Sequence, residues 1–530
     1  MGTEQANDGF GTISVAAILA ESAARRADAV ALIVGDESVT YAALWDQAKA
    51  YAGALRDRGV GPGVPVAILV PNVADFARVY FAVLALGGIV VPVHALLKAR
   101  EIEYVIRDSG AELLVCAAPL LPEGEPGARA AGTPVLTVLA AEATDGLPRL
   151  EDAAADTEPI RTYVPRRPED TATILYTSGT TGKPKGALGT HFALVEQVNV
   201  LLTSTFDLRA GDKIFGGLPL FHTFGQTCVL NAGLRAGATV VMLPRFTGAA
   251  ALDLVRRHNI DIFFGVPTMY MALLEAIRAS PGRPEGLRYG ISGGSSLPVA
   301  VIDRFRELFG VEIYEGYGLT ETSPVASFNH VGTTPRPGTI GTAIWGVEVA
   351  IARPEVADAI ELLPAGELGE LVVRGHNLFK GYLNRPDATA EALVDGWFRT
   401  GDLGTKDGDG YLRIMDRKGD MIIRNGYNVY PREVEEVLSQ HPDVASVAVF
   451  GVPHEVHGQE IAAAVIAVPG STVTAGELAE FAQARLAAHK YPRLIELRTE
   501  LPLGPSGKIL KRTLQASFGD DAEASRTGGQ

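Results

Sequence analysis

The segment Tyr176-Thr-Ser-Gly-Thr-Thr-Gly-Lys-Pro-Lys-Gly186 gathers glycines, hydroxyls and lysines between an apolar run, Thr171 to Leu175, and a helical pattern that begins after Thr190. Glycine lets a backbone approach a polyphosphate closely, and Thr177, Ser178, Thr180, Thr181 and Lys183 add donors and positive charge. With Gly179 and Gly182 the segment reads as a phosphate cradle. It is not a Walker A loop, because Gly179 and Gly182 stand too close together for the four residues that motif needs before its Gly-Lys pair. A flexible Ser/Thr/Gly surface loop is the bland alternative, and it accounts poorly for so many phosphate-competent residues behind a buried strand.

Five further segments carry groups suited to the same chemistry: Leu218-Pro-Leu-Phe-His-Thr-Phe-Gly225, Tyr314-Glu-Gly-Tyr-Gly-Leu-Thr-Glu-Thr322, Trp397-Phe-Arg-Thr-Gly-Asp402, Asp416-Arg-Lys-Gly-Asp-Met-Ile-Ile-Arg-Asn-Gly426 and Leu503-Gly-Pro-Ser-Gly-Lys508. Taken singly, Glu321 passes for a solvated acid, His222 for a core histidine, Asp402 for a turn cap and Lys508 for a solvated lysine. In this order and spacing the set resembles the adenylate-forming superfamily of acyl-CoA synthetases, carrier-loading adenylation domains and firefly-type luciferases. The resemblance runs from about Thr12 to Arg512, and its texture is nearest to bacterial fatty-acyl-CoA ligases.

The resemblance implies a role for each position. Glu321 would hold the magnesium that bridges ATP phosphates, as a hard carboxylate ligand should, with Thr320 touching phosphate. Tyr317 would line the adenine, with Glu315 and Gly316 also among the ATP-binding positions, and the Ser292-Gly-Gly-Ser295 turn, through Gly294 and Ser295, would shape the adenosine and acyl pockets. Asp402 would accept the ribose hydroxyls while Arg417 donates from the other side. Lys508 would neutralise charge on the α-phosphate during attack by the acid, and His222 would stand beside the reacting carboxylate. Gly426 would lie along the path of coenzyme A. The implied reaction joins an acid to the thiol of coenzyme A with ATP and magnesium, releasing AMP and pyrophosphate.

Two positions depart from the pattern. The expected hinge residue is Gly419 rather than Asp or Lys, and the glycine pair of the next loop is Asn425-Gly426. These leave room for an enzyme specialised toward one half-reaction. Loading of a separate carrier protein is the competing ligase reading, since no carrier domain follows Lys508. A luciferase-like oxygenase and a non-catalytic nucleotide-binding protein are the remaining alternatives, the last disfavoured by intact Lys508, Glu321 and Asp402. The acid is expected to be hydrophobic: a medium or long fatty acid first, with bulky aryl or terpenoid acids open.

The elements that must hold these groups follow from hydropathy patterning. Between Thr40 and Cys116, strand-like runs at Val66 to Val70, Ile89 to Val93 and Leu113 to Cys116 alternate with helical patterns at Leu44 to Leu55, Phe76 to Leu86 and Ile102 to Ile106, which predicts a parallel sheet with helices on its faces. Residues 117–168 read as a surface connection with little regular structure beyond a strand near Val135 to Leu139. From Thr171 the rhythm resumes through Thr239 to Leu243, Asp261 to Val266, Leu287 to Ser292 and Val311 to Glu315, predicting a second α/β sheet. After about Gly366 hairpin-like segments follow, with a turn at Asp407 to Tyr411.

The fold class expected is therefore α/β: a large N-terminal domain, 1–416, of two α/β sheets plus a small β-barrel-like part, a hinge at 417–420, and a small mobile α+β C-terminal domain, 421–530. In the latter, Pro431 to Leu438 and a stretch opened by the Thr474-x-x-Glu477 capping box read as helices, Val444 to Val449 and Ile461 to Val468 as strands, and the tail after about residue 513 as frayed.

The chain has 530 residues, 47% hydrophobic and 21% charged, enough for more than one buried core. A net charge of -15 and the lack of a basic run with interleaved aromatics argue against nucleic acid. Cys116 and Cys228, without CxxC spacing, read as buried fillers suited to a reducing cytoplasm. Met1 to Gly11 shows no secretory pattern, and Phe81 to Val93 is too short to span a bilayer. Oligomeric state is not legible.

Overall fold

Strand runs that are apolar on both faces pair in parallel and need helices on either side. In the computed structural model, which describes residues 11–142, 146–177, 183–454, 456–504 and 509–518, Pro65–Leu69, Ile89–Pro92 and Leu113–Ala117 form the parallel centre of a six-stranded sheet. Val135–Val138 extends one side in parallel. The other side continues through Thr171–Thr177, which turns back as the antiparallel Lys185–Thr190.

The hairpin flanking the phosphate-loop motif thus belongs to the first sheet, and the expectation that Thr171 opens the second sheet is corrected. Thr173 pairs with Val90 in parallel, a register that the strand-helix rhythm does not encode, because alternation specifies element type and not partner. The second sheet has nine strands. Its parallel portion runs Ile313–Gly318, Tyr289–Ser292, Ile262–Gly265, Lys213–Gly216, Thr239–Met242 and Val30–Val34. The Val30–Val34 strand and its antiparallel neighbour Glu37–Thr40 precede the region from which strands were expected.

One core joins the sheets. Helix Ala74–Ala85 is buried at every position but Arg78, as befits a helix apolar all round, and Val66 and Ile68 of the first sheet share a hydrophobic cluster with Leu32 and Ile214 of the second. Arg78 is neutralised by Asp75 at 3.0 Å and Glu37 at 2.6 Å. Cys116 and Cys228 are both buried and free, and burial pushes the Cys116 thiol up to about 12. They are fillers.

Residues 117–168 are more regular than expected. Leu121–Ala131 is a helix capped by Gly132 in the left-handed region, and Leu150–Ala155 is a second. The small residues of the first helix permit close packing: a Cβ on Gly127 would lie 2.8 Å from the Ala99 carbonyl and 2.9 Å from Ile102 Cβ. Composition that resembles a loop is here the composition of a contact.

A five-stranded antiparallel sheet, built on Val347–Ala352, Gly369–Gly375 and Trp397–Lys406, supplies the barrel-like part. It ends with Leu412–Arg417, after the expected turn at 407–411. The α+β part beyond carries a five-stranded sheet centred on Val444–His454 and Gly458–Ala467. Its helix Pro431–Ser439 has proline in the first turn, and helix Ala475–Gln483 starts from the Thr474/Glu477 capping box. Regular structure also continues past residue 513: in helix Lys511–Ser517, Leu514 is fully buried among Ala448, Phe450 and Leu501.

Gly127→Val should lower the unfolding free energy by about 1–3 kcal/mol or more in urea denaturation, because the branched side chain must displace backbone. Gly132→Asn, at a helix cap with open space around it, should cost well under that amount.

Candidate active site

The parallel strands of the second sheet all deliver their carboxyl ends to one edge, where open α/β sheets bind ligands. The loop carrying His222 follows strand Lys213–Gly216, the Gly293–Ser295 turn follows Tyr289–Ser292, and Tyr317, Thr320 and Glu321 lie in or just beyond Ile313–Gly318. Gly294 sits at φ +84°, which closes this turn to most side chains.

Asp402 arrives from the antiparallel sheet. It stands opposite Arg417 in the register of Trp397–Lys406 with Leu412–Arg417, and Arg417 Nε donates to its Oδ1 at 3.1 Å. The Tyr317 hydroxyl donates to Oδ2 at 2.6 Å, so this buried carboxylate joins the second-sheet edge to the strand that leads out of the large domain. Both carboxylate oxygens are engaged. Asp402 therefore does more than cap its turn, although its own N–H does bond Thr400 Oγ1 at 3.0 Å.

Glu321 lies in the short 3-10 turn Thr320–Thr322 and is 7% exposed. Its Oε1 accepts from the Tyr382 hydroxyl at 2.7 Å, and burial raises its pKa against that bond. The donor set fits a magnesium-bound nucleotide: a hard carboxylate, buried beside a neutral phenol, is short of a cation. Glu315, fully enclosed, accepts from the Leu297 N–H at 3.1 Å. Burial pushes its carboxyl up to about 7, against the opposing pull of Arg432.

His222 is partly exposed, and its Nδ1 accepts from the Phe224 N–H at 3.2 Å. Phe224 begins a wholly buried π-helix, Phe224–Asn231, an irregularity that hydropathy patterning cannot show. Its ring packs near Phe264 at 6.5 Å, and a Cβ on Gly293 would touch it at 3.3 Å. Of the phosphate motif, Thr177 ends its strand with Oγ1 near the Lys185 carbonyl, and Lys183 is exposed with Nζ 5.9 Å from the Tyr104 ring centre. Ser178, Gly179, Thr180, Thr181, Gly182 and Lys508 lie outside the described residues.

Ser295 and Gly316 adjoin this cluster, whereas Gly426 and Gly419 lie in turns beyond it. Ser295 is exposed, and Gly316 is partly buried with its Cα face against the Phe328 ring. Gly426 shares a two-residue hairpin turn with Asn425, both at positive φ, between Ile422–Arg424 and Tyr427–Val429. The hairpin bonds within the small domain, to His457 and Gly458 among others, and Tyr427 beside it is 58% exposed. Gly419 lies in an exposed turn where a Cβ would meet nothing, and its φ is outside the left-handed region.

Two groups escaped sequence reasoning. Tyr382 had no motif to mark it. Arg432, at the start of the small domain's first helix, donates its N–H to Asp416 at 3.1 Å and places its charge near Glu315. On the same helix Glu436 accepts the Val299 N–H at 3.2 Å, at the start of helix Val299–Phe309. The signal was present in Pro431-Arg-Glu-Val-Glu-Glu436, but Glu315 and Val299, which it meets on the second-sheet side, are more than a hundred residues away.

The AMP-binding enzyme family matches residues 19–383, and the AMP-binding enzyme C-terminal domain family matches residues 433–508. The chain belongs to the AMP-binding enzyme family. It is 34% identical to a long-chain-fatty-acid CoA ligase of Bacillus subtilis (strain 168), over 94% of this chain and 93% of that one. It is 37% identical to a feruloyl-CoA synthase of Amycolatopsis sp, over 93% and 96%. The crystal structure of the anthranilate CoA ligase AuaEII in complex with anthranoyl-AMP superposes with a TM-score of 0.89 at 28% identity, over 97% and 98%. The chain is an AMP-forming acyl-CoA synthetase that activates an acid by adenylation with ATP and forms a thioester with coenzyme A. Among the described residues no helix is long and apolar enough to cross a membrane.

The raised Glu315 carboxyl makes stability depend on pH. Below its ordinary value of 4.5 the carboxyl is protonated folded or unfolded; between 4.5 and about 7 the unfolded chain ionises first, so stability falls as pH rises, and above about 7 the loss is complete. Glu315→Gln should therefore flatten the decline in melting temperature between pH 5 and pH 8, recovering on the order of 1–3 kcal/mol at the upper end.

Proposed function

We propose that the acid is hydrophobic and that its carboxylate end lies at His222, with its body toward Phe224 and the Gly293 backbone that lies against that ring. Aromatic walls supply apolar area without charge, which suits a fatty or aryl acid. The feruloyl-CoA synthase and long-chain-fatty-acid CoA ligase relatives support both classes. The convergence of Tyr317 and Glu321 from one sheet with Asp402 and Arg417 from another is the observation that carries the adenylation step, because it offers one carboxylate to the ribose and one to a cation side by side.

In the first half-reaction the acid's carboxylate oxygen bonds to the α-phosphorus of ATP, and the bond to the bridging oxygen breaks to release pyrophosphate. Glu321 would hold magnesium, which neutralises phosphate charge when bound. Asp402 and Arg417 orient the ribose, Thr177 and Lys183 flank the polyphosphate together with Ser178 to Gly182, and Lys508 supplies a fixed cation where charge grows. In the second half-reaction the thiol of coenzyme A attacks the acyl carbon and AMP departs.

Lys508 and Gly426 lie on the same small domain, so each half-reaction needs its own placement of that domain, with the turn 417–420 as hinge. Lys418 is anchored to the large domain through its N–H to the Gly401 carbonyl at 2.9 Å and its Nζ to the Pro354 carbonyl at 2.6 Å. Gly419 is the next residue free to turn. Its φ in this state lies outside the left-handed region and a Cβ there would meet nothing, so the position accepts a side chain as readily as glycine.

A panel of fatty, aryl and dicarboxylic acids, assayed separately for pyrophosphate release and for thioester, tests the acid class. Turnover confined to short dicarboxylic acids would overturn it. Lys508→Ala should lower pyrophosphate release by about a hundredfold or more and spare thioester formation from supplied acyl-AMP; equal losses would remove Lys508 from the first step. Gly419→Pro, which locks φ and restricts Lys418, should keep one half-reaction and lose the other. Gly419→Lys and Gly419→Asp should keep both, and a Gly419→Pro enzyme with the parent's overall rate would place the hinge elsewhere.

A further inference from the structure

We infer that Tyr382 is a positioning residue whose hydroxyl sets the Glu321 carboxylate for the cation carried by the polyphosphate. The inference rests on Glu321 being the metal carboxylate. Tyr382 Oη donates to Glu321 Oε1 at 2.7 Å, which fixes one oxygen and with it the plane of the carboxylate. The segment around it holds Glu321 a second time: the Phe379 N–H donates to the Glu321 carbonyl at 2.9 Å, and the Phe379 and Tyr382 rings pack edge to face at 4.8 Å.

The same segment is attached to the phosphate-loop hairpin. Tyr382 pairs antiparallel with Ala187, the Leu188 N–H donates to the Gly381 carbonyl at 3.0 Å, and the Leu383 N–H donates to the Gly186 carbonyl at 2.8 Å. Lys185 Nζ stands 5.1 Å from the centre of the Tyr382 ring. Residues 379–383 thus join the first sheet's hairpin, through an isolated antiparallel bridge, to the second sheet's Glu321. Tyr382 couples the position of the metal carboxylate to that of the loop that cradles the phosphates.

Removing the hydroxyl frees the carboxylate to rotate, so its ordering must then accompany metal binding. The test is ATP affinity measured by calorimetry on the full chain, with saturating magnesium and again in EDTA, with AMP as a metal-independent control. Tyr382→Phe should weaken Mg-ATP binding by on the order of tenfold and leave ATP in EDTA and AMP unchanged. In a Glu321→Gln background the same change should add nothing further. Parent affinity in Tyr382→Phe, or an undiminished penalty in the Glu321→Gln background, would reduce Tyr382 to a packing residue and overturn the inference. Should the Phe variant not fold, Tyr382→His, which can offer an N–H, must bind Mg-ATP more tightly than Tyr382→Leu; equal affinities overturn it. If Glu321→Gln alone leaves Mg-ATP affinity untouched, the metal assignment itself fails.

Discussion

Negative charge taken out of water is costly unless a donor or cation meets it. Glu315 and Glu321 are buried at the carboxyl edge of the second sheet and Asp402 on the antiparallel sheet that meets it, and the arrangement around them supplies what they lack. Tyr317 and Arg417 engage Asp402, Tyr382 engages Glu321, and the Leu297 N–H with the nearby Arg432 charge serves Glu315. Each partner comes from a different segment. Burial still leaves Glu315 and Glu321 easier to protonate than in water, a deficit that Arg432 and Arg417 offset only in part. A nucleotide that brings a cation and offers hydroxyl donors is the complement of that deficit.

The topology can be read as the means of gathering those partners. The second sheet provides the edge with Glu315 and Glu321; the first sheet provides the phosphate-loop hairpin and, through 379–383, the grip on Glu321. The antiparallel sheet presents Asp402 and Arg417 from neighbouring strands, and Arg417 is the last strand residue before the turn into the small domain. Lys511, in the last described helix, shows the same economy of charge in the small domain. Burial alone would lower its pKa, but Glu435 at 2.7 Å and nearby Asp416 more than offset it.

Much of this was legible in the sequence because it is local. Runs such as Leu113 to Cys116 are apolar on both faces and read directly as buried parallel strands. Thr474 and Glu477 mark a helix start by a bond spanning three residues. The chemical motifs survive as short strings because each supplies a turn and its functional group together. What was not legible is long-range. Thr171–Thr177 has the texture of either sheet, and only its pairing with Val90 decides. Gly124 and Gly127 carry the residue type of a loop, and only their proximity to Cys116 and Ala99 reveals a packed helix. Tyr382 and Arg432 matter through partners that sequence spacing cannot identify.

The central claim is that two of the buried carboxylates divide the nucleotide between them, Asp402 taking the ribose and Glu321 the metal-bound phosphates. Calorimetric titration of AMP and of Mg-ATP into the Asp402→Asn and Glu321→Gln enzymes tests it directly. The account predicts that Asp402→Asn weakens both ligands, while Glu321→Gln weakens Mg-ATP and leaves AMP as in the parent. Parent-like AMP affinity in Asp402→Asn, or equal weakening of both ligands by Glu321→Gln, would contradict it.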